Sequence, residues 1–147
     1  MVGFEISTAE AVPTPGLAAA FTLRVRHAEP LQIGRLSTGG SREYQPVLSG
    51  MFSGRGVEGR ILSGGEMRLC RPDAVTVVEA DYLIAVDDAA VRLIGTGYET
   101  ADGPFVGTRM TMAFEADEGG PHAWLCTRVF LAERATAGDL FVIVEVT

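Results

Sequence analysis

Apolar runs of about six to ten residues recur along the chain between Gly, Pro and Asp clusters, and no long segment holds a helical spacing. The runs fall at 17–26, 44–53, 57–62, 66–70, 74–86, 89–97, 107–115, 122–133 and 139–147. A helix would need apolar residues at i, i+3, i+4 and i+7, whereas short bounded runs with alternation read as strands. Only "AAAF" at 18–21 is ambiguous. The expectation is an all-β chain with almost no helix. Closing about eight or nine antiparallel strands into one small barrel would remove exposed edges and leave room inside for side chains or one small ligand.

A chain of 147 residues is long enough for one core and short for two, so 1–147 is read as a single β-barrel domain with 1–16 as an irregular lead-in. Nineteen acidic against twelve basic residues give a net charge of -7, which repels phosphate backbones and argues against nucleic acid. Every basic residue is Arg, so lysine Schiff-base chemistry is excluded. Neither the N-terminal segment nor any later run has the pattern of a signal peptide or a membrane helix, which leads us to expect a cytoplasmic protein. Cys70 and Cys126 lie far apart without CxxC spacing, as structural thiols would.

Familiar cofactor and metal motifs are absent or out of context. "GRGVEG" at 54–59 matches a dinucleotide fingerprint in letters, but a strand and not a helix follows it. His122 and Cys126 would stand about 13 Å apart on a strand, too far to share a metal. No nucleophile elbow occurs. We therefore expect no cofactor and no metal.

The alternating segments raise the question of which face looks inward. In "RMTMAFEA", Met110, Met112 and Phe114 share a face. In "TVVEADYLIAVDD", Glu79 and Asp81 lie on one face with Val75, Val77 and Leu83, and Val78, Ala80, Tyr82 and Ile84 on the other. Periodicity leaves open whether the two carboxylates face a cavity or solvent. "HAWLCTRVFLAERA" sets Trp124, the sole Trp, beside His122, Cys126 and Arg128, opposite Leu125, Val129 and Leu131. In "GGEMRLC", Glu66 and Arg68 alternate with Met67 and Leu69.

Taken in order, "GGEMRLCRPD", "ADYLIAVDDAAVRLIGTG", "MAFEA" and "HAWLCTRVFL" resemble the bacterial family known as domain of unknown function 3237, over roughly residues 21–147. The resemblance implies a compact antiparallel β-barrel, similar in size and form to allene-oxide-cyclase-like or calycin-like barrels, some of which shape apolar substrates for cyclisation. Three polar positions of the family fall on Met67, Asp81 and Cys126 here. Carried over, the resemblance implies that Met67 and Leu69 look inward and Glu66 and Arg68 outward. It also places Glu79, Asp81, Trp124 and Cys126 in the interior beside a lining of Met110, Met112 and Phe114. A carboxylate there would have its pKa raised by desolvation. Arg109 or Arg128 could instead pair with it.

The resulting expectation is a cofactor-independent cyclase or isomerase acting on a small apolar, polyketide-type metabolite of natural product biosynthesis. Asp81 would serve as acid/base, Tyr98 or Tyr44 as hydrogen-bond donor, and Met67, Glu79, Met110, Met112, Phe114, Trp124 and Cys126 would shape the pocket. The alternative is a non-catalytic barrel that binds or carries an apolar ligand, and a third reading is a filled core. An outward Val78, Ile84 and Leu125 would be covered in a homodimer.

Overall fold

A computed structural model describes Gly3 and residues 13–147. Nine strands follow in order: β1 Leu17–His27, β2 Leu31–Arg35, β3 Ser41–Gly54, β4 Val57–Cys70, β5 Thr76–Val86, β6 Ala89–Thr100, β7 Gly107–Glu115, β8 Phe130–Arg134 and β9 Leu140–Val146. Residues 13–16 form no regular element, and the rest of the expected lead-in lies, Gly3 apart, outside the described residues. Neighbouring strands pair antiparallel from β2 through β9, β9 pairs with β1, and β1 pairs with β3, so eight strands close into a barrel with β2 appended at its edge. Closure leaves the barrel strands without an open edge.

Two runs expected as separate strands, 57–62 and 66–70, are one strand. Gly64 lets β4 continue: at its φ of 123° a Cβ would stand 2.1 Å from the Asp81 carbonyl oxygen, so only glycine passes there. The run at 122–133 is broken, because Ala123–Thr127 coil into a short 3-10 turn before β8 begins. His122 and Cys126 are therefore not strand neighbours, and the spacing expected of them does not apply.

The core is the inward stripe of each strand: Phe21, Leu23 and Val25 on β1, Val78, Ala80, Tyr82, Ile84 and Val86 on β5, Val91 and Leu93 on β6, Met110, Met112 and Phe114 on β7. Val78, Ile84 and Leu125, expected to face outward, are almost wholly buried, which removes them as a reason for a dimer. Phe21, Phe52, Phe114 and Phe130 stack at one end, with Phe21 to Phe52 centroids 4.6 Å apart and Phe114 to Phe130 edge-on at 5.1 Å. Trp124 packs beside Phe21 at 6.2 Å. Burial of aromatic surface on this scale makes that end a solid plug.

Candidate functional site at the polar end of the barrel

Followed away from the plug, the inward stripes end in polar side chains. His27 ends β1, Glu99 stands near the end of β6, Arg134 ends β8, Thr108 stands near the start of β7, and Glu43, Glu66 and Arg68 complete the ring from β3 and β4. Glu66 is wholly buried. Its register partner is Ala80, an inward residue of β5, so Glu66 looks into the barrel.

This inverts the orientation implied by the resemblance. The register between β4 and β5 shifts between Ile61 and Ser63, an extra residue in β4 that turns over the alternation beyond it. Met67, expected inside, is 37% exposed on the outer wall, and Leu69 lies on that same side, against the turn at Gly40. Glu66 and Arg68 occupy the interior.

Glu66 is the hub of a charge cluster. Its Oε2 lies 3.1 Å from His27 Nε2, its Oε1 lies 2.8 Å from Arg134 Nη2, and Arg68 Nη1 stands 3.9 Å away. Arg68 also donates to Glu99 and lies 3.4 Å from Glu43. The guanidinium of Arg134 rests on the ring of Phe141 at 4.3 Å. The contacts around Glu66 are ion-pair approaches whose N–H vectors do not line up. His27 Nε2, both Glu66 oxygens, Tyr82 Oη and Arg134 Nη1 have no aligned hydrogen-bond partner among the described residues. A buried donor left unpaired is costly, and Arg134 Nη1 is the atom of the charge cluster with neither an ion pair nor a hydrogen bond among the described residues.

Burial by itself would push the Glu66 carboxyl up, but the His27 contact and the Arg134 charge outweigh it and hold the carboxyl below its usual range. Glu66 is thus an anion inside the barrel. Tyr82 is pushed the other way, well above the ordinary phenol, first by burial and then by the negative charge of Glu66. It stays neutral beside the carboxylate.

The cluster opens into a cleft of about 1120 Å³, lined from within by His27, Glu43, Arg68, Glu99, Thr108 and Arg134 and closed on one side by the β8–β9 loop from Ala135 to Asp139. A space of this size accommodates a small organic molecule. Among the described residues no group of three His, Cys, Asp or Glu side chains is placed to share a metal ion.

The site residues expected from sequence lie elsewhere. Asp81 is on the outer wall, its side chain 57% exposed, and takes a bidentate pair from Arg92 at 2.7 and 3.0 Å; Arg109 and Arg128 pair with Glu133 and Glu145 instead. The Arg92 hydrogen bonds lower the Asp81 pKa, the reverse of the shift expected. Glu79 is exposed beside it. Tyr44 lies over Gly65 on the outside of β4, where a Cβ would meet its ring at 2.7 Å. Tyr98 is half exposed next to Arg71. Tyr44, Met67, Glu79 and Asp81 do share an outer groove of about 620 Å³, but one separated from the polar cluster by the barrel wall. Met110, Met112 and Phe114 are inside as expected, yet packed into the core, and Cys126 is exposed on the 3-10 turn.

Several known proteins share this fold. The crystal structure of a conserved protein of unknown function from Rhodopseudomonas palustris aligns with a TM-score of 0.81 at 24% identity, covering 92% of this chain and all of that one. A β-barrel-like protein from Acinetobacter baumannii aligns at 0.73 and 25%, covering 94% and 98%. An enzyme from Penicillium herquei aligns at 0.73 and 15%, covering 93% and 98%, a likeness of fold alone. Among curated relatives, a UPF0311 protein of Rhodopseudomonas palustris is 28% identical over 148 residues, 89% of this chain and 95% of its own. A UPF0311 protein of Clostridium acetobutylicum is 31% identical over 88 residues, a match spanning 58% of this chain and little more than half, 56%, of that protein. The family model described as Protein of unknown function (DUF3237) matches residues 15–147, the whole barrel from the lead-in to the last strand, and the chain belongs to that family.

Proposed function

We propose that the protein is a cofactor-independent acid–base enzyme, a cyclase or isomerase acting on a small, mostly apolar metabolite at the polar mouth of the barrel. The observation that carries this reading is the pair His27 and Glu66, an imidazole that lines the cleft with its Nε2 3.1 Å from a wholly buried carboxylate. His27 is the proton carrier. With Nε2 against Glu66, Nδ1 is the nitrogen left to exchange a proton with a ligand. Glu66 orients the ring and balances its charge when it takes a proton, and Arg134 Nη1 offers an unused donor to an oxygen that gains negative charge. Isomerisation or cyclisation needs only such a proton relay and a confined substrate conformer. The fold neighbour described as an enzyme is consistent with a catalytic barrel.

The second reading is a carrier that binds a ligand in the same cleft without turnover. It is favoured by the ion pairs that tie Arg68 to Glu43 and Glu99, which suit a rigid receptor. A homodimer formed through the outer wall of β8 and β9, where Leu131 and Val142 are exposed, belongs to the same proposal, as does residence in the cytoplasm. Among the described residues no helix is long and apolar enough to cross a membrane.

The test is to incubate the protein with small-molecule extracts of a bacterium carrying a close relative and follow them by mass spectrometry. The enzyme reading expects a compound to change retention time at unchanged mass, in amounts reduced about a hundredfold or more in His27→Ala. A compound bound and released unchanged by both proteins would establish the carrier instead.

A further inference from the structure

The wall of the barrel is interrupted beside the polar cluster. Strands β3 and β4 pair from Ser41 to Pro46 and again from Met51 to Gly54, but no pairs join 47–50 to 61–64. Each strand carries an extra residue there. The β1–β3 register jumps from His27 opposite Val47 to Arg26 opposite Ser49, which leaves Leu48 as the bulged residue. On β4 the bulged residue is Leu62. Bulges stop pairing and re-aim side chains, and they are over-represented next to active sites. The two bulged leucines are exposed, at 59% and 47%, and both line the cleft.

The surface around this gap has a definite chemistry. Met51, also exposed, completes an apolar strip with Leu48 and Leu62. Arg24 and Arg60 flank Met51 across the sheet, and Arg26 lies two residues along from Arg24. Five of the chain's twelve arginines line the cleft, in a molecule of net charge -7. Arg24 is engaged by Asp139 at 2.9 Å. Arg26 and Arg60 form no ion pair among the described residues. The inner cluster differs: Arg68 and Arg134 face three carboxylates, Glu43, Glu66 and Glu99, so it has no positive charge to spare for an anion.

We propose that the cleft takes an amphipathic carboxylate whose acid group rests on Arg26 and Arg60 at the rim. Its apolar body lies over Leu48, Met51 and Leu62 into the gap between β3 and β4, and its uncharged end reaches the His27–Glu66 pair. The separation of charge dictates this orientation: guanidiniums with no ion pair among the described residues hold a carboxylate, and a cluster in which carboxylates outnumber guanidiniums rejects it. Ile61, packed onto Gly50 on the inner side of the gap, is the side chain the apolar body meets on entry. This inference rests on the cleft being the ligand site, as the functional reading has it.

Two probes separate the inference from that reading: naphthoate and its uncharged methyl ester, titrated calorimetrically into the intact protein near neutral pH at low ionic strength. Naphthoate is expected to bind about tenfold more tightly than the ester, and salt is expected to erode that advantage. The double variant Arg26→Gln, Arg60→Gln removes two exposed side chains and is expected to bring naphthoate down to the ester while leaving the ester unchanged. Equal affinities in the wild type, or an advantage that survives the double variant, would overturn the inference and leave the cleft standing. Failure of both probes to bind at millimolar concentration would instead overturn the cleft as a ligand site.

Discussion

His27 Nε2 stands 3.1 Å from Glu66 Oε2, although the two residues come from β1 and β4, which are held apart by β3. The contact therefore crosses the barrel interior. Truncating Glu66 to Ala leaves Arg134 and His27 facing each other without a counter-charge. The expected cost is about 3 kcal/mol, seen as a fall in Tm of roughly 6–12 °C. A double-mutant cycle with His27→Ala is expected to return a coupling energy of about 1 kcal/mol, and denaturant unfolding of the four proteins measures it.

Acid should weaken the fold in part through Glu66. Its carboxyl ionises more readily in the folded chain than at the ordinary value of 4.5, so its contribution is complete above that value and is lost as pH falls through the lower folded one. Asp73, brought to about 2 chiefly by Arg71, and Glu145, lowered by Arg55 and Arg128, act in the same direction. Thermal melts from neutral pH into acid are expected to show a shallower decline for Glu66→Gln than for the wild type.

Asp81→Asn is expected to do little. The carboxylate is exposed and its partner Arg92 keeps a second contact, to Glu115 at 2.8 Å, so stability should change by less than about 0.5 kcal/mol. Ligand affinity should not change at all. Calorimetric titration with naphthoate alongside a melt of the same variant checks both statements.

The aromatic plug carries the stability of the opposite end. Phe114 touches Phe21, Phe52 and Phe130, and its truncation to Ala is expected to cost about 3–5 kcal/mol without altering cleft binding. Denaturant melts of Phe114→Ala, compared with Glu66→Ala, distinguish a packing loss from a charge loss.

The closed barrel was legible because alternation and glycine punctuation survive in nearly every strand. β2 was not, since Leu31 and Ile33 are both exposed on an appended edge strand and leave no inward stripe to read. For β5, alternation left two faces possible, and the carboxylates proved to be on the outside. The position of Glu66 turns on the extra residue at Leu62, and a bulge leaves no periodic trace. Part of the site was nonetheless written in the stripes. Phe21, Leu23, Val25 and His27 keep one phase, as do Phe130, Ala132 and Arg134, and Val91, Leu93, Gly95, Gly97 and Glu99. An apolar stripe that ends in a charge on several strands, all at one end of a barrel, is the signal for a polar mouth. What no stripe encodes is which of these ends meet across the interior, because that depends on register between strands far apart in sequence.

The most direct test of where ligands bind uses the methionines, which fall at each competing location. Met51 lies at the cleft rim, Met67 in the outer groove with Asp81 and Tyr44, and Met110 and Met112 in the core. With carbon-13 in their methyl groups, each reports a ligand nearby as a change in its NMR shift. On titration with naphthoate, the Met51 signal is expected to move while Met67, Met110 and Met112 stay in place. Movement of Met67 with Met51 unchanged would put the site on the outer wall and contradict the account.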